Sequence, residues 1–291
     1  MDILTNYTFQ IVALGSVLLA VAAAPVGAFS VYKGQSLIGD AIGHSTFPGI
    51  ILAYMAFATR SPVILLAGAI AAGAASYALI QLAHRDKRLG LDANLAIFLS
   101  GFFGLGMALK SFIQGNPDYA GASQAGLGTY IFGQAAYMLE ADVLLIAAIS
   151  ALVLTLLLLF YKELKLFVFD AEYAEVVGLP CRLLNLLLLV MTIAVIGIGI
   201  KAVGAILISS FLIIPCVAAN QWSNNFARVL LLSSLIGAVS ALVGTYISTL
   251  EQGMSTGPSI ILVASLIAFF SIVFGTKGIL GRVLKRRRTH G

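Results

Sequence analysis

Nine apolar runs dominate this chain, at 9–32, 36–58, 62–83, 91–109, 141–161, 183–200, 203–220, 226–249 and 258–276. A helix needs about 20 residues to cross ~30 Å of hydrocarbon, and most of these runs reach that length. With 60% hydrophobic and 10% charged residues and a mean hydropathy of +1.03, the chain cannot fold as a water-soluble globule. Its 29 Gly and 7 Pro suit a membrane interior, where neighbouring helices satisfy freed backbone groups. The expectation is an all-α, polytopic membrane helical bundle of eight or nine transmembrane helices, one domain over 1–291. The seventh run is the ambiguous one. Only Lys201 and Ala202 separate it from the sixth and Pro215 interrupts it, so part of 195–220 is expected to be broken or re-entrant. Met1-Asp2-Ile3 carries no positive charge, so the first run reads as a retained span.

Lys and Arg near span ends stay cytoplasmic, which sets orientation. Nine spans with the N-terminus outside put Lys33, Arg85, Lys87, Arg88, Lys162, Lys165, Arg182, Arg228, Lys277, Arg282 and Lys285 to Arg288 inside. Only Arg60, Lys110 and Lys201 then lie outside. That bias predicts an odd number of crossings with the C-terminus inside. The basic run after the last span reads as an anchor on anionic lipid headgroups, with no nucleic acid as partner.

Two stretches do not span. Residues 110–140, rich in Gly, Ala and Ser, form a long outside loop of the kind that covers a pore or docks a partner. Residues 162–182 form the main inside connection. Within it Asp170 can cap a short helix whose early turns hold Glu172 and Glu175 and which Gly178 and Pro180 end. Tyr173, Val176 and Val177 then share one side, which could fit a groove in another protein or simply lie at the interface.

Ionisable residues inside spans are expensive and mark function by default. The second run holds one such pair. Asp40 and His44 are four apart, so a helix places them on one face about 6 Å apart along its axis, with His44 near the bilayer midplane. Gly39 and Gly43 adjoin that face and allow a second helix to approach closely. Two copies meeting there would present two carboxylates and two imidazoles, a mixed N/O set suited to a divalent first-row metal. A cation would also relieve the repulsion between the paired carboxylates. The same pair could instead hydrogen-bond to itself or relay protons. Cys181 and Cys216 read as small packing residues. No nucleotide-binding loop, His-Glu-x-x-His, Cys-x-x-Cys or nucleophile elbow occurs, so the chain is expected to be no enzyme.

Asp40-Ala41-Ile42-Gly43-His44-Ser45-Thr46-Phe47-Pro48-Gly49 resembles the Asp-Ala-x-x-His-x-x-x-Pro-Gly signature of the membrane permeases of bacterial manganese/zinc/iron ABC importers. The segment from Phe169 to Pro180 resembles that family's cytoplasmic coupling segment. Gly204 to Pro215, and Ser255-Thr256-Gly257-Pro258-Ser259-Ile260-Ile261, extend the likeness over nearly the whole chain. Gly43 departs from the serine that relatives often carry.

This resemblance implies a type II ABC importer-like permease in a bacterial plasma membrane, paired with a second copy or a paralogue. Asp40 and His44 would line the metal path, with Gly39, Gly43, Pro48, Pro215, Gly257 and Pro258 shaping the path and its packing. Cytoplasmic ABC ATPase subunits would dock on Asp170, Ala171, Glu172, Tyr173, Ala174, Glu175, Val176, Val177 and Gly178. An extracellular metal-binding lipoprotein or periplasmic binding protein would deliver Mn, Zn or Fe, which is cargo, with no permanently bound cofactor. Two other readings stay open at this point: a cation/proton secondary transporter using the same pair, and a siderophore or vitamin ABC permease.

Overall fold

The computed structural model describes residues 6–59, 61–84, 90–116, 119, 138–250 and 254–279. Regular structure among them is helical. In chain order the helices are α1 (Tyr7–Tyr32), α2 (Ser36–Phe57), α3 (Pro62–His84), α4 (Leu91–Gly115), α5 (Glu140–Leu159) and α6 (Tyr161–Phe169). They continue with α7 (Ala171–Val176), α8 (Cys181–Val203), α9 (Ala205–Asn220), α10 (Phe226–Leu250) and α11 (Thr256–Phe274). Seven of these are long and apolar enough on their own to cross a membrane. The two further long elements are α2, which carries Asp40 and His44 in its 22 residues, and α9, which has only 16.

Contacts between helix ends fix the direction of each element. The start of α1 meets the start of α5, where the Tyr7 hydroxyl donates to Glu140 Oε1. The same end of the bundle holds the Phe9 and Tyr246 rings and the Ser248–Thr256 hydroxyl pair, so α10 ends there and α11 begins there. At the opposite end Lys33 donates to Asn185 near the start of α8, and Asn185 donates to Tyr77 late in α3. Tyr32 donates to Asn220, the last residue of α9, and so does Lys277 just beyond α11. Among the described residues, helices α1, α2, α3, α4, α5, α8, α9, α10 and α11 therefore alternate in direction, and seven of them are candidate spans.

The ambiguous stretch 195–220 is thus a helical hairpin. It reverses at Gly204, whose φ of +98° lies in a region that side chains with a Cβ avoid. Pro215 sits within α9 without ending it.

Apolar side chains gain little by leaving lipid for a protein interior, so small residues that let backbones approach hold such bundles together. A Cβ on Gly27 of α1 would fall within 3.0 Å of the Leu212 carbonyl oxygen of α9. The same holds for Gly244 of α10 against the Ile260 backbone of α11. Helices α1 and α9 sit at the centre, where Leu19, Phe29, Phe211 and Cys216 are buried. Both cysteines are free and buried, as packing residues would be.

Two boundaries differ from the sequence expectation. Helix α4 runs on to Gly115, so residues 110–115 belong to a helix and much of the remaining expected loop lies outside the described residues. The inside connection is two helices, because the backbone bends at Phe160 and α6 precedes the short helix. The Arg282 and Lys285 to Arg288 tail also lies outside the described residues.

Candidate metal-transit site

Helix α2 brings Asp40 and His44 together as their spacing predicts. His44 Nε2 lies 3.5 Å from Asp40 Oδ1, with the side chains 13% and 31% exposed. That separation exceeds the 2.7–2.9 Å of a charge-assisted hydrogen bond, so the pair is not locked on itself. Two donors each about 2.1 Å from one tetrahedral metal stand about 3.4 Å apart. The buried Nδ1 of His44 has no hydrogen-bond partner among the described residues, so one face of the imidazole is unspoken for within this protomer.

The Phe103 ring of α4 holds the imidazole in place, edge to face at 5.0 Å and 81°. Phe103 also leans on Phe47. Nothing in its sequence context separated Phe103 from the other aromatic residues of the fourth run. Behind the pair, Ser45 donates to the Ala41 carbonyl and shares a hydrogen bond with Ser76 Oγ of α3, which satisfies the buried hydroxyl and fixes α2 against α3.

Along α2, Leu37, Asp40, His44, Leu52 and Met55 form a partly uncovered stripe and Ala56 and Phe57 are exposed at the helix end, while residues 38, 39, 41–43, 45–51, 53 and 54 are buried. Among the described residues no cluster of three or more His, Cys, Asp or Glu side chains could hold a metal. Asp40 and His44 thus stand as a pair with no third such side chain beside them among the described residues.

The remaining expected positions scatter. Gly39 faces only the Leu212 side chain of α9, whose Cδ1 would lie 3.2 Å from an added Cβ. The tight backbone contact of α2 is instead at Gly49, against Gly68 of α3. Gly43 and Pro48 are buried in α2, Pro215 lies within α9, and Gly257 and Pro258 begin α11 at the far end from Lys33. Pro258 fits there because a first helical turn needs no amide donor from it.

The 170–178 segment folds as expected. Asp170 Oδ1 accepts the Tyr173 amide at 2.9 Å, and Gly178 at φ +87° lets the Leu179 amide return to the Ala174 carbonyl. Ala174 is buried, whereas Tyr173, Val176 and Val177 are exposed, Val176 to 83%. Beside this segment the Lys33 ammonium sits 4.6 Å over the centre of the Phe167 ring, and burial lowers its pKa to about 8.

Comparison with known sequences adds a decisive observation: the profile of the ABC 3 transport family matches residues 5–275. The chain belongs to the ABC 3 transport family. This ABC 3 family member is 39% identical over 289 residues to the zinc transport system membrane protein TroC of Treponema pallidum, covering 99% of this chain and 96% of that one. It is 38% identical over 285 residues to the manganese transport system membrane protein MntC of Bacillus subtilis, covering 96% of this chain but 65% of that longer relative. Among solved structures, PsaBC from Streptococcus pneumoniae in complex with Fab superposes with a TM-score of 0.85 at 26% identity, over 98% of this chain and 97% of that one. An inward-facing putative metal-chelate type ABC transporter shares the fold, with a TM-score of 0.69 at 18% identity over 90% of this chain and 85% of that one. Together with the seven candidate spans among the described residues, these likenesses identify this ABC 3 family chain as a multi-pass membrane protein of a transport system.

Proposed function

We propose that this chain is the permease subunit of an ATP-driven importer of divalent transition metal ions (Mn, Zn or Fe) in a bacterial plasma membrane, and that Asp40 and His44 hold the ion in transit. The observation that carries the reading is the 3.5 Å separation of His44 Nε2 and Asp40 Oδ1, the spacing of two donors on one small ion. The relatives named for zinc and manganese transport support the substrate class.

In this reading the uncovered stripe of α2 faces a second copy or a paralogue, which completes the coordination set. Few ligands hold the ion weakly, and weak holding is what passage needs. A site of two carboxylates and two imidazoles fits Mn, Fe and Zn alike, so selection among them falls partly to the binding protein that delivers the ion. Lys33, Lys162, Lys165, Arg182, Arg228 and Lys277 cluster at one end of the bundle, which supports reading that end as cytoplasmic. The exposed Tyr173, Val176 and Val177 then face the ATPase subunits, and the metal-binding protein docks at the other end.

The test uses assembled transporter in proteoliposomes, with Asp40→Asn and His44→Ala compared with wild type. Metal uptake is expected to fall at least tenfold in both while the subunits still co-purify. Uptake at the normal rate in either variant refutes the assignment.

A further inference from the structure

The cytoplasmic-side helix α6 is fastened to the bundle more firmly than a connector needs. Phe226, buried at the start of α10, is the hub of five rings. Its centroid lies 4.9 Å from Phe29, 5.0 Å from Tyr32, 5.2 Å from Phe169 and 6.3 Å from Tyr161. Phe29 and Tyr32 are the last aromatic residues of α1, and Tyr161 and Phe169 open and close α6. Phe169 also meets Tyr32 directly at 5.4 Å. Between these clamps Phe167 of α6 lies under the Lys33 ammonium, which also donates to Asn185 of α8. Each edge-to-face pair and the cation–π contact depends on orientation as well as proximity.

What lies on either side of the joint gives it a direction. A single residue, Asp170, separates α6 from α7, the segment with the exposed Tyr173 and Val176. On the other side Lys33 is followed by a tight turn, in which Gly34 takes φ +74° and the Gln35 amide returns to the Ser30 carbonyl at 2.9 Å. Helix α2 starts at Ser36, one turn below Asp40. A displacement of α7 thus passes through α6 into the end of α1 and, across a hydrogen-bonded turn, into the base of the helix that carries Asp40 and His44.

We infer that the Phe226 ring cluster and the Lys33–Phe167 contact form the mechanical linkage that ties movement of α7 to the Asp40–His44 helix, with Phe226 and Lys33 as positioning residues for coupling. The inference rests on the permease reading above and adds to it the residues that carry the stroke. None of them touches the ion. Their loss should therefore change how much transport each ATP yields, with little change in hydrolysis or assembly.

The experiment reconstitutes the complete transporter, with permease, ATPase subunits and metal-loaded binding protein, and measures ATP hydrolysed and metal imported in the same vesicles. Phe226→Leu and Lys33→Met are expected to assemble at wild-type levels and hydrolyse ATP within twofold of wild type, while metal imported per ATP falls at least fivefold. Phe226→Tyr, which keeps the ring, is expected to restore the ratio to within twofold. An unchanged ratio in both variants overturns the inference, as does loss of assembly in both, which would mark the cluster as packing alone. Absence of import by the wild-type complex would strike the permease reading and the inference with it. Normal wild-type import with normally coupled variants strikes the inference alone.

Discussion

Gly49 of α2 and Gly68 of α3 cross with their backbones in contact: a Cβ added to either would lie within 3.0 Å of the other's carbonyl oxygen. Since the obstacles are backbone atoms and the Cβ atoms of Ala72 and Ala53, no side chain can rotate away to make room. Gly49→Ala or Gly68→Ala is expected to destabilise the protein by about 1–3 kcal/mol through overpacking. Gly104→Ala, where an added Cβ meets nothing within 4 Å, should leave a single protomer unaffected. Thermal inactivation of the detergent-solubilised chain compares the three. Equal stability of all would show that the close approach is not a constraint.

The short helix α7 depends on its two ends. Asp170→Ala removes the acceptor for the Tyr173 amide, a change that costs about 0.5–2 kcal/mol at helix N-caps. Gly178→Ala forces a side chain into φ +87°, a strain of about 1–2 kcal/mol. Both variants should insert normally, yet bind ATPase subunits several-fold more weakly in a co-purification titration. Undiminished binding would mean that the segment's fold is irrelevant to docking.

A metal and a proton compete for the same imidazole nitrogen, so ion binding should fail on acidification. Once pH has dropped below the imidazole's titration range, each further unit is expected to cost about tenfold in affinity per histidine engaged. Mn or Zn titration of the purified permease across pH 5 to 8 reads this, and His44→Ala should flatten the profile. A profile that His44→Ala leaves unchanged would place the ligand elsewhere.

Asn220 gathers the Tyr32 hydroxyl and the Lys277 ammonium on one oxygen. Lys277 holds the turn after α9 as well, through its ammonium on the Ser223 carbonyl at 2.8 Å. Asn220→Ala keeps that second contact and removes the first, at a cost of about 1.5–3 kcal/mol for a bond to a charged group. Trypsin should then cut after Lys277 several-fold faster than in wild type. Unchanged cleavage kinetics would show that Asn220 does not tether the segment.

Much of this architecture could be read from residues in order, because it depends on local chemistry. The apolar runs announced the long helices, the cost of Asp40 and His44 in hydrocarbon announced the candidate site, and Asp170 with Gly178 announced the ends of α7. What escaped depends on which helices become neighbours. Gly39 and Gly43 drew notice because they flank the acidic face, but close packing of α2 is governed by Gly68, which only the fold brings opposite Gly49. Phe226 meets Phe29 from almost two hundred positions away, and no periodicity links them. Helix α6 was legible in principle: Tyr161, Leu164 and Phe167 recur at helical spacing, but Lys162, Glu163 and Lys165 among them gave the stretch the polarity of a connection. The chain reversal at Gly204 was visible only as an interruption, since a break and a hairpin share the same local signs.

Helix α9 has a further consequence. Its 16 residues rise only about 24 Å, short of the hydrocarbon depth, yet none of residues 208–220 is exposed. Protein, not lipid, is its solvent. A thinner or thicker bilayer would therefore tilt and strain the peripheral helices such as α4 while leaving this inner strut at constant length, which would insulate the heart of the molecule from changes in the cell's fatty-acid composition.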